Sequence, residues 1–197
     1  MVGNFSNVKK IKEYAKENNV PIMMDSGIQF LTNFIIKKDI KNVLEIGTAI
    51  GYSSIMMALS SPSVKITTIE RDEKRYLEAL KNIKELNLED RITLIYNDAL
   101  NVKIDGEFDM IFIDAAKAQN IKFFEKFERN LVSSGYIITD NIKFHGLVDK
   151  DEKEIKSRNV RGIVRKIKAY IEFLKDNVKY DTEFLDIGDG ISVSCKK

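Results

Sequence analysis

Acidic residues recur where short apolar runs of this chain end: Glu45, Glu70, Asp98, Asp114 and Asp140, the last followed by Asn141. Carboxylates in such places suit a ligand that carries cationic charge or hydroxyl and amine donors, and they repel a pyrophosphate. Caps and turns also use Asp and Asn after strands, but one residue of this kind after each of five successive runs points to a shared crevice. The first lies in VLEIGTAIGYSS, residues 43–54, where Gly47 and Gly51 stand four apart. Glycines there let backbone approach a ligand closely. The spacing matches neither G-x-x-x-x-G-K-[ST] nor G-x-G-x-x-G, so neither a phosphate loop nor the dinucleotide fingerprint is present. Glu70 falls 19 residues past Gly51, a place suited to the two hydroxyls of a ribose.

The elements that must position these residues alternate. Residues 6–19 read as a helix with Ser6 as N-cap, and 25–38 as a second. Apolar runs at 43–46, 64–70, 91–96, 108–114 and 136–140 read as buried strands. Helical spacing fills 52–60, 72–86 and 119–131. Strand and helix in alternation predict a parallel sheet with helices on both faces. Near the end, YDTEFLDIG and GISVSCK flank the Gly188-Asp189-Gly190 turn and predict an antiparallel hairpin. In such sheets ligands bind beyond the carboxyl ends of the strands, at the switch point. A ligand with a ribose, an amino-acid group and a cationic centre is S-adenosylmethionine.

Length and composition fit this plan. The 197 residues are most simply one domain, with N-terminal helices over 1–40 and the core over 41–197. The net charge of +2 names no partner. One cysteine, Cys195, permits no internal disulfide and fits a reducing compartment. With no apolar signal core and no run near the roughly 20 residues that span a bilayer, the expectation is a cytoplasmic protein with no membrane partner.

The motif E-I-G-T-A-I-G-Y-S-S resembles motif I of class I S-adenosylmethionine-dependent methyltransferases. With Glu70, Asp114-Ala-Ala-Lys117 and Asp140-Asn141, the set resembles the cation-dependent O-methyltransferases, which include the catechol and caffeoyl-coenzyme A enzymes and a bacterial tRNA 5-hydroxyuridine branch. The resemblance covers about residues 20–145, and the hairpin fits the family's ending. It implies a Rossmann-like α/β fold with a mostly parallel seven-stranded sheet, and a homodimer. It implies that Met24, Glu45, Gly47, Tyr52 and Ser53 serve the amino-acid end of the cofactor, Glu70 the ribose, and Asp98 and Ala99 the adenine. Asp114 would face both cofactor and metal. Asp114, Asp140 and Asn141 would hold the ion, and Lys117 would assist deprotonation of the acceptor hydroxyl. Hard oxygen ligands with no histidine or thiolate select Mg²⁺, Mn²⁺ or Ca²⁺ over zinc.

The acceptor is less legible. Residues 155–171 hold six basic residues and no acidic one. Arg158, Arg161, Arg165 and Lys168 fall on one helical stripe, opposite Val160, Ile163, Val164, Ile167, Ile171 and Leu174. Charged surface helices are common, but a ridge without compensating acids suits RNA phosphates. A nucleotide in a tRNA anticodon loop is unpaired and can reach a pocket. A 5-hydroxyuridine there presents adjacent 4-oxo and 5-hydroxy oxygens, the same chelating pair as a catechol. The chain has no tryptophan to wall a planar phenol, although Phe144 or Tyr52 could do so. A small catechol therefore stays open as the alternative acceptor. A nucleotide-binding oxidoreductase or a non-catalytic module would leave Asp114, Asp140 and Asn141 without a role. His145, the one histidine, follows D-N-I-K-F and could touch substrate, although a packed or solvent-facing loop histidine is the commoner case.

Overall fold

Helix α1, Val2–Glu17, turns Ile11 and Ala15 into the core. A computed structural model describes the backbone of residues 2–197 and the side chains of residues 6–197. Ser6 lies inside α1 and is not its N-cap, because no proline stops the helix from running back to Val2. The helix also ends before 19. The Asn18 amide donates to the Tyr14 carbonyl at 2.9 Å, and Asn19 turns left-handed at φ +51°. Helix α2, Asp25–Lys37, buries Ile28, Leu31 and Ile35 at the expected spacing.

Seven strands follow: β1 Asn42–Ile46, β2 Lys65–Glu70, β3 Ile92–Tyr96, β4 Phe108–Ile113, β5 Leu131–Asp140, β6 Tyr180–Leu185 and β7 Ile191–Lys196. They form one sheet in the order β3-β2-β1-β4-β5-β7-β6. The first five are parallel, and β7 runs antiparallel to both β5 and β6. The helices between them are α3 Tyr52–Ser60, α4 Glu73–Glu85, α5 Asn120–Phe127 and α6 Arg158–Asp176.

Alternating side chains of the strands feed two cores, one on each face. Val43, Met110 and Phe112 join Leu31, Ile35, Ile55 and Met57 on one face. Leu44, Ile46, Ile111 and Ile113 join Phe124, Phe127, Tyr170 and Leu174 on the other. Because both faces are covered, the strands read as continuous apolar runs. From β1 the chain winds outward to β3, then crosses to β4 on the other side of β1. That reversal opens a crevice at the carboxyl ends of β1 and β4.

Two boundaries beyond those of α1 differ clearly from the sequence reading. The helix expected over 119–131 ends at Phe127, and Leu131 starts β5 five residues early. Ser133-Ser134-Gly135, between the two expected elements, is an irregularity within the strand, where Ser134 has φ +60° and pairing jumps from Phe108↔Leu131 to Met110↔Tyr136. Helix α6 begins at Arg158, with the Ser157 hydroxyl accepting from the Val160 N–H, and buries Tyr170 as well as the expected Val164, Ile167 and Leu174. No helix among the described residues is long and apolar enough to cross a membrane.

Candidate active site

The crevice is a cleft of about 460 Å³, within the roughly 300–1,000 Å³ of small-molecule sites. Gly47 forms its floor. The residue has φ +98°, and a Cβ there would strike the Asp114 carbonyl of the neighbouring strand end. The close approach is fixed by ladder bonds on both sides: Gly47 N–H donates to the Ile69 carbonyl at 3.0 Å, and Asp114 N–H donates to the Ile46 carbonyl at 2.9 Å. Gly51, at φ +85°, then turns the chain into α3.

On the β2 side, Glu70 is 7% exposed and lines the cleft. Its carboxylate accepts from the backbone N–H groups of Ala49 (2.7 Å), Arg71 (2.9 Å) and Asp72 (2.8 Å). A carboxylate has about four lone-pair sites, so capacity remains for a hydroxyl donor. Asp98 and Ala99 line the same wall; Asp98 accepts from Leu100 N–H at 2.8 Å and faces the Arg71 guanidinium at 3.4 Å. Met24, 56% exposed just ahead of α2, lines the cleft from the opposite side.

Three residues expected at the cofactor lie behind the cleft wall. Glu45 is fully buried, and its carboxylate accepts from the hydroxyls of Ser53 (2.5 Å), Thr68 (2.6 Å) and Ser54. Burial pushes its pKa up to about 7 against the pull of those three donors, with a smaller push from Asp114. Tyr52 packs in the core, with its hydroxyl beside Asp25 and Lys12. These side chains brace the turn from behind. Strand alternation is the reason: Glu45 points to the face opposite Leu44 and Ile46 and meets the first turn of α3.

The ends of β4 and β5 supply a corner of charged and amide side chains. Asp114 accepts from Lys117 Nζ at 2.6 Å, and both are largely sheltered, at 21% and 17% side-chain exposure. Lys117 opens a short 3-10 turn that leads into α5. Asp140, 2% exposed, is held well above the ordinary carboxylate range by burial first and by the charge of Asp114 second, against the opposing charge of Lys117. Asn141 follows it in left-handed backbone, φ +61°. All four residues line the one cleft. Asp114 and Asp140 feel one another's charge and share a single lysine, and with the Asn141 amide they form a hard-oxygen donor set. That set fits a divalent ion. No group of three His, Cys, Asp or Glu side chains gathers as a metal site among the described residues; here the third donor is an amide.

The cleft also contains residues the sequence reading left out or set aside. Arg75, Gln119, Phe123 and Asp189 line it, and so do Phe144 and His145. Asp189 sits in the β6–β7 turn, which the sequence marks only as a hairpin signal. The basic stripe of α6 is less free than expected. Arg165 pairs with Glu152 at 2.7 Å, and Arg161 donates to the Ile155 carbonyl at 2.7 Å. Lys168 reaches the Lys150 carbonyl at 3.3 Å. The compensating acid comes from the preceding loop, outside the window in which the stripe was read. Arg158 and Lys166 are exposed and carry no ion pair among the described residues.

Comparison with known proteins gives the family and the fold. The O-methyltransferase family profile matches residues 4–197. The chain belongs to that family. A candidate caffeoyl-CoA O-methyltransferase of Staphylococcus aureus superposes with a TM-score of 0.91 at 42% identity, over 96% of this chain and 92% of that one. An O-methyltransferase from Bacillus cereus, solved in complex with SAH, superposes with a TM-score of 0.84 at 27% identity, over 98% and 91%. The catechol O-methyltransferase of Niastella koreensis is 30% identical over 75% of this chain and 67% of its own.

Proposed function

We propose that this O-methyltransferase moves the methyl group of S-adenosylmethionine to the 5-hydroxyl of 5-hydroxyuridine at the tRNA wobble position, giving 5-methoxyuridine, with Mg²⁺ as its cation. The carrying observation is the corner where Asp114, Lys117, Asp140 and Asn141 meet in one cleft with Gly47 and Glu70. Glu70 binds the ribose of the donor, and Gly47 lets backbone reach its amino-acid end. Asp98 and Ala99 bound the adenine. Asp114, Asp140 and Asn141 would hold the divalent ion, which when bound would supply the charge that lowers the pKa of an acceptor hydroxyl. Lys117 Nζ, once its ammonium proton has left to solvent, would take the hydroxyl proton as the oxygen attacks the methyl carbon and the carbon–sulfur bond breaks, leaving S-adenosylhomocysteine. The sheltered corner keeps both reactants in reach of each other.

The RNA acceptor is supported by the position of α6, which packs against the Lys117 turn and carries Arg158 and Lys166 free of ion pairs among the described residues. The resemblance supports a homodimer, and the single cysteine, Cys195, fits a reducing compartment such as the cytoplasm. A small catechol is the second reading, favoured by Phe144 in the cleft wall and by the catechol enzyme among the relatives. Salt separates the two. Transfer to tRNA falls steeply between 50 and 200 mM salt, and R158A/K166A lowers it and flattens the slope by about two charges. Salt-independent tRNA transfer, unchanged in that variant, would remove α6 from the RNA surface.

A further inference from the structure

The loop after β5 carries an unusual amount of left-handed backbone. Asn141, Phe144 and His145 have φ values of +61°, +47° and +57°. Such conformations persist only where the surroundings impose them. Here the β6–β7 turn does so. Ile142 N–H donates to the Gly190 carbonyl at 3.1 Å, and Lys143 N–H donates to the Asp189 carbonyl at 2.9 Å. His145 N–H donates to Asp189 Oδ1 at 2.6 Å. Lys143 Nζ adds an ion pair to Asp186 at 2.6 Å.

One atom of this clamp has no partner. Asp189 is only 9% exposed, yet its Oδ2 is buried without a hydrogen bond. The nearest candidate is Nδ1 of His145, 3.7 Å away, which a small side-chain rotation would bring into range. The His145 side chain itself is 79% exposed, with the Phe144 ring beside it at 5.6 Å between centroids. Both residues line the cleft beside Asp140 and Asn141.

We infer that Asp189 and His145 form an acceptor-recognising pair, in which Asp189 orients the imidazole and Nε2 accepts a hydrogen bond from an N–H next to the reacting oxygens. A carboxylate only accepts, so the ring nitrogen that faces Asp189 carries the hydrogen. The opposite nitrogen, Nε2, then offers a lone pair on the open side of the ring. A uracil ring has such a donor, N3–H, beside its 4-oxo group. A catechol has carbon there. The pair therefore selects a uracil-type acceptor over a phenol, an inference that rests on the RNA reading above. His145 contacts the acceptor, and Asp189 is a positioning residue that acts through it.

The test is steady-state kinetics of the full chain on an anticodon stem-loop RNA containing 5-hydroxyuridine. H145N tolerates left-handed backbone and keeps a short polar side chain, but it ends before Nε2. The main-chain bond to Asp189 survives that change, so the variant reports the imidazole tip alone. The expected result is an acceptor KM raised about tenfold, the worth of one hydrogen bond, with kcat within about twofold. H145Q, whose longer amide regains the reach, recovers most of the loss. D189N places an amide N–H against Nδ1, reverses the tautomer and raises KM alike; the double variant is no worse than either single one. An unchanged KM in H145N, or additive losses in the double variant, would overturn the inference and leave the methyl-transfer reading standing. A wild-type protein that transfers no methyl to this RNA would overturn the RNA reading itself.

Discussion

At the scale of single residues, charge in a dry corner sets the chemistry. Lys117 touches Asp114 at 2.6 Å, and Asp140 lies buried behind them. Removing the amine by K117A takes away the proton acceptor but leaves the cleft wall, so kcat should fall by about 10²–10³ with little change in cofactor binding. Titration calorimetry with S-adenosylhomocysteine checks the second half. Glu45 makes a different prediction. Folded, it keeps its proton up to about 7; its ordinary value is 4.5. Between those limits the folded state binds more protons than the unfolded one. The Glu45 contribution to stability therefore falls as pH rises from about 4.5 to 7. E45Q should flatten this part of the stability profile, on the order of 2 kcal/mol across the window. Denaturant unfolding at pH 5 and pH 7.5 measures it, and an equal slope in both proteins would assign the dependence to other groups.

At the scale of elements, turns decide what the side chains can do. The β1–α3 turn works because Gly47 has no Cβ to meet the Asp114 carbonyl. G47A forces left-handed backbone and a backbone clash at once, so the ends of β1 and β4 must part. Stability should drop by at least about 1–3 kcal/mol, and donor binding should be lost well below the midpoint of unfolding. Retained donor affinity in G47A would show that the close approach of the two strand ends is dispensable. The strand ends and the Gly47 turn were legible in the sequence because apolar runs, glycines and terminal acids are local patterns. What was not legible was non-local. Glu45 looked like a ligand group, but its pointing direction depends on α3 and β2, which supply Ser53, Ser54 and Thr68. The α6 stripe looked unopposed because Glu152 lies outside the helix. Asp189 comes from the far end of the chain and reaches the cleft only because β7 pairs with β5.

At the scale of the whole molecule, the strand order fixes the crevice and the chain fills it from every side. The residues proposed for the methyl donor come from the ends of β1, β2 and β3, and the acid corner comes from β4 and β5. The hairpin and the loop it clamps line the side proposed for the acceptor. In the proposed reading the two parts of the cleft meet at Asp114. The central claim, a cation-dependent transfer to RNA, is tested most directly by following labelled methyl from S-adenosylmethionine into tRNA that carries 5-hydroxyuridine, with Mg²⁺ and with a chelator. The account predicts label in tRNA with Mg²⁺ and none with the chelator. Undiminished transfer in chelator would contradict the role given to Asp114, Asp140 and Asn141, and metal-dependent label that appears in a catechol but never in tRNA would contradict the acceptor.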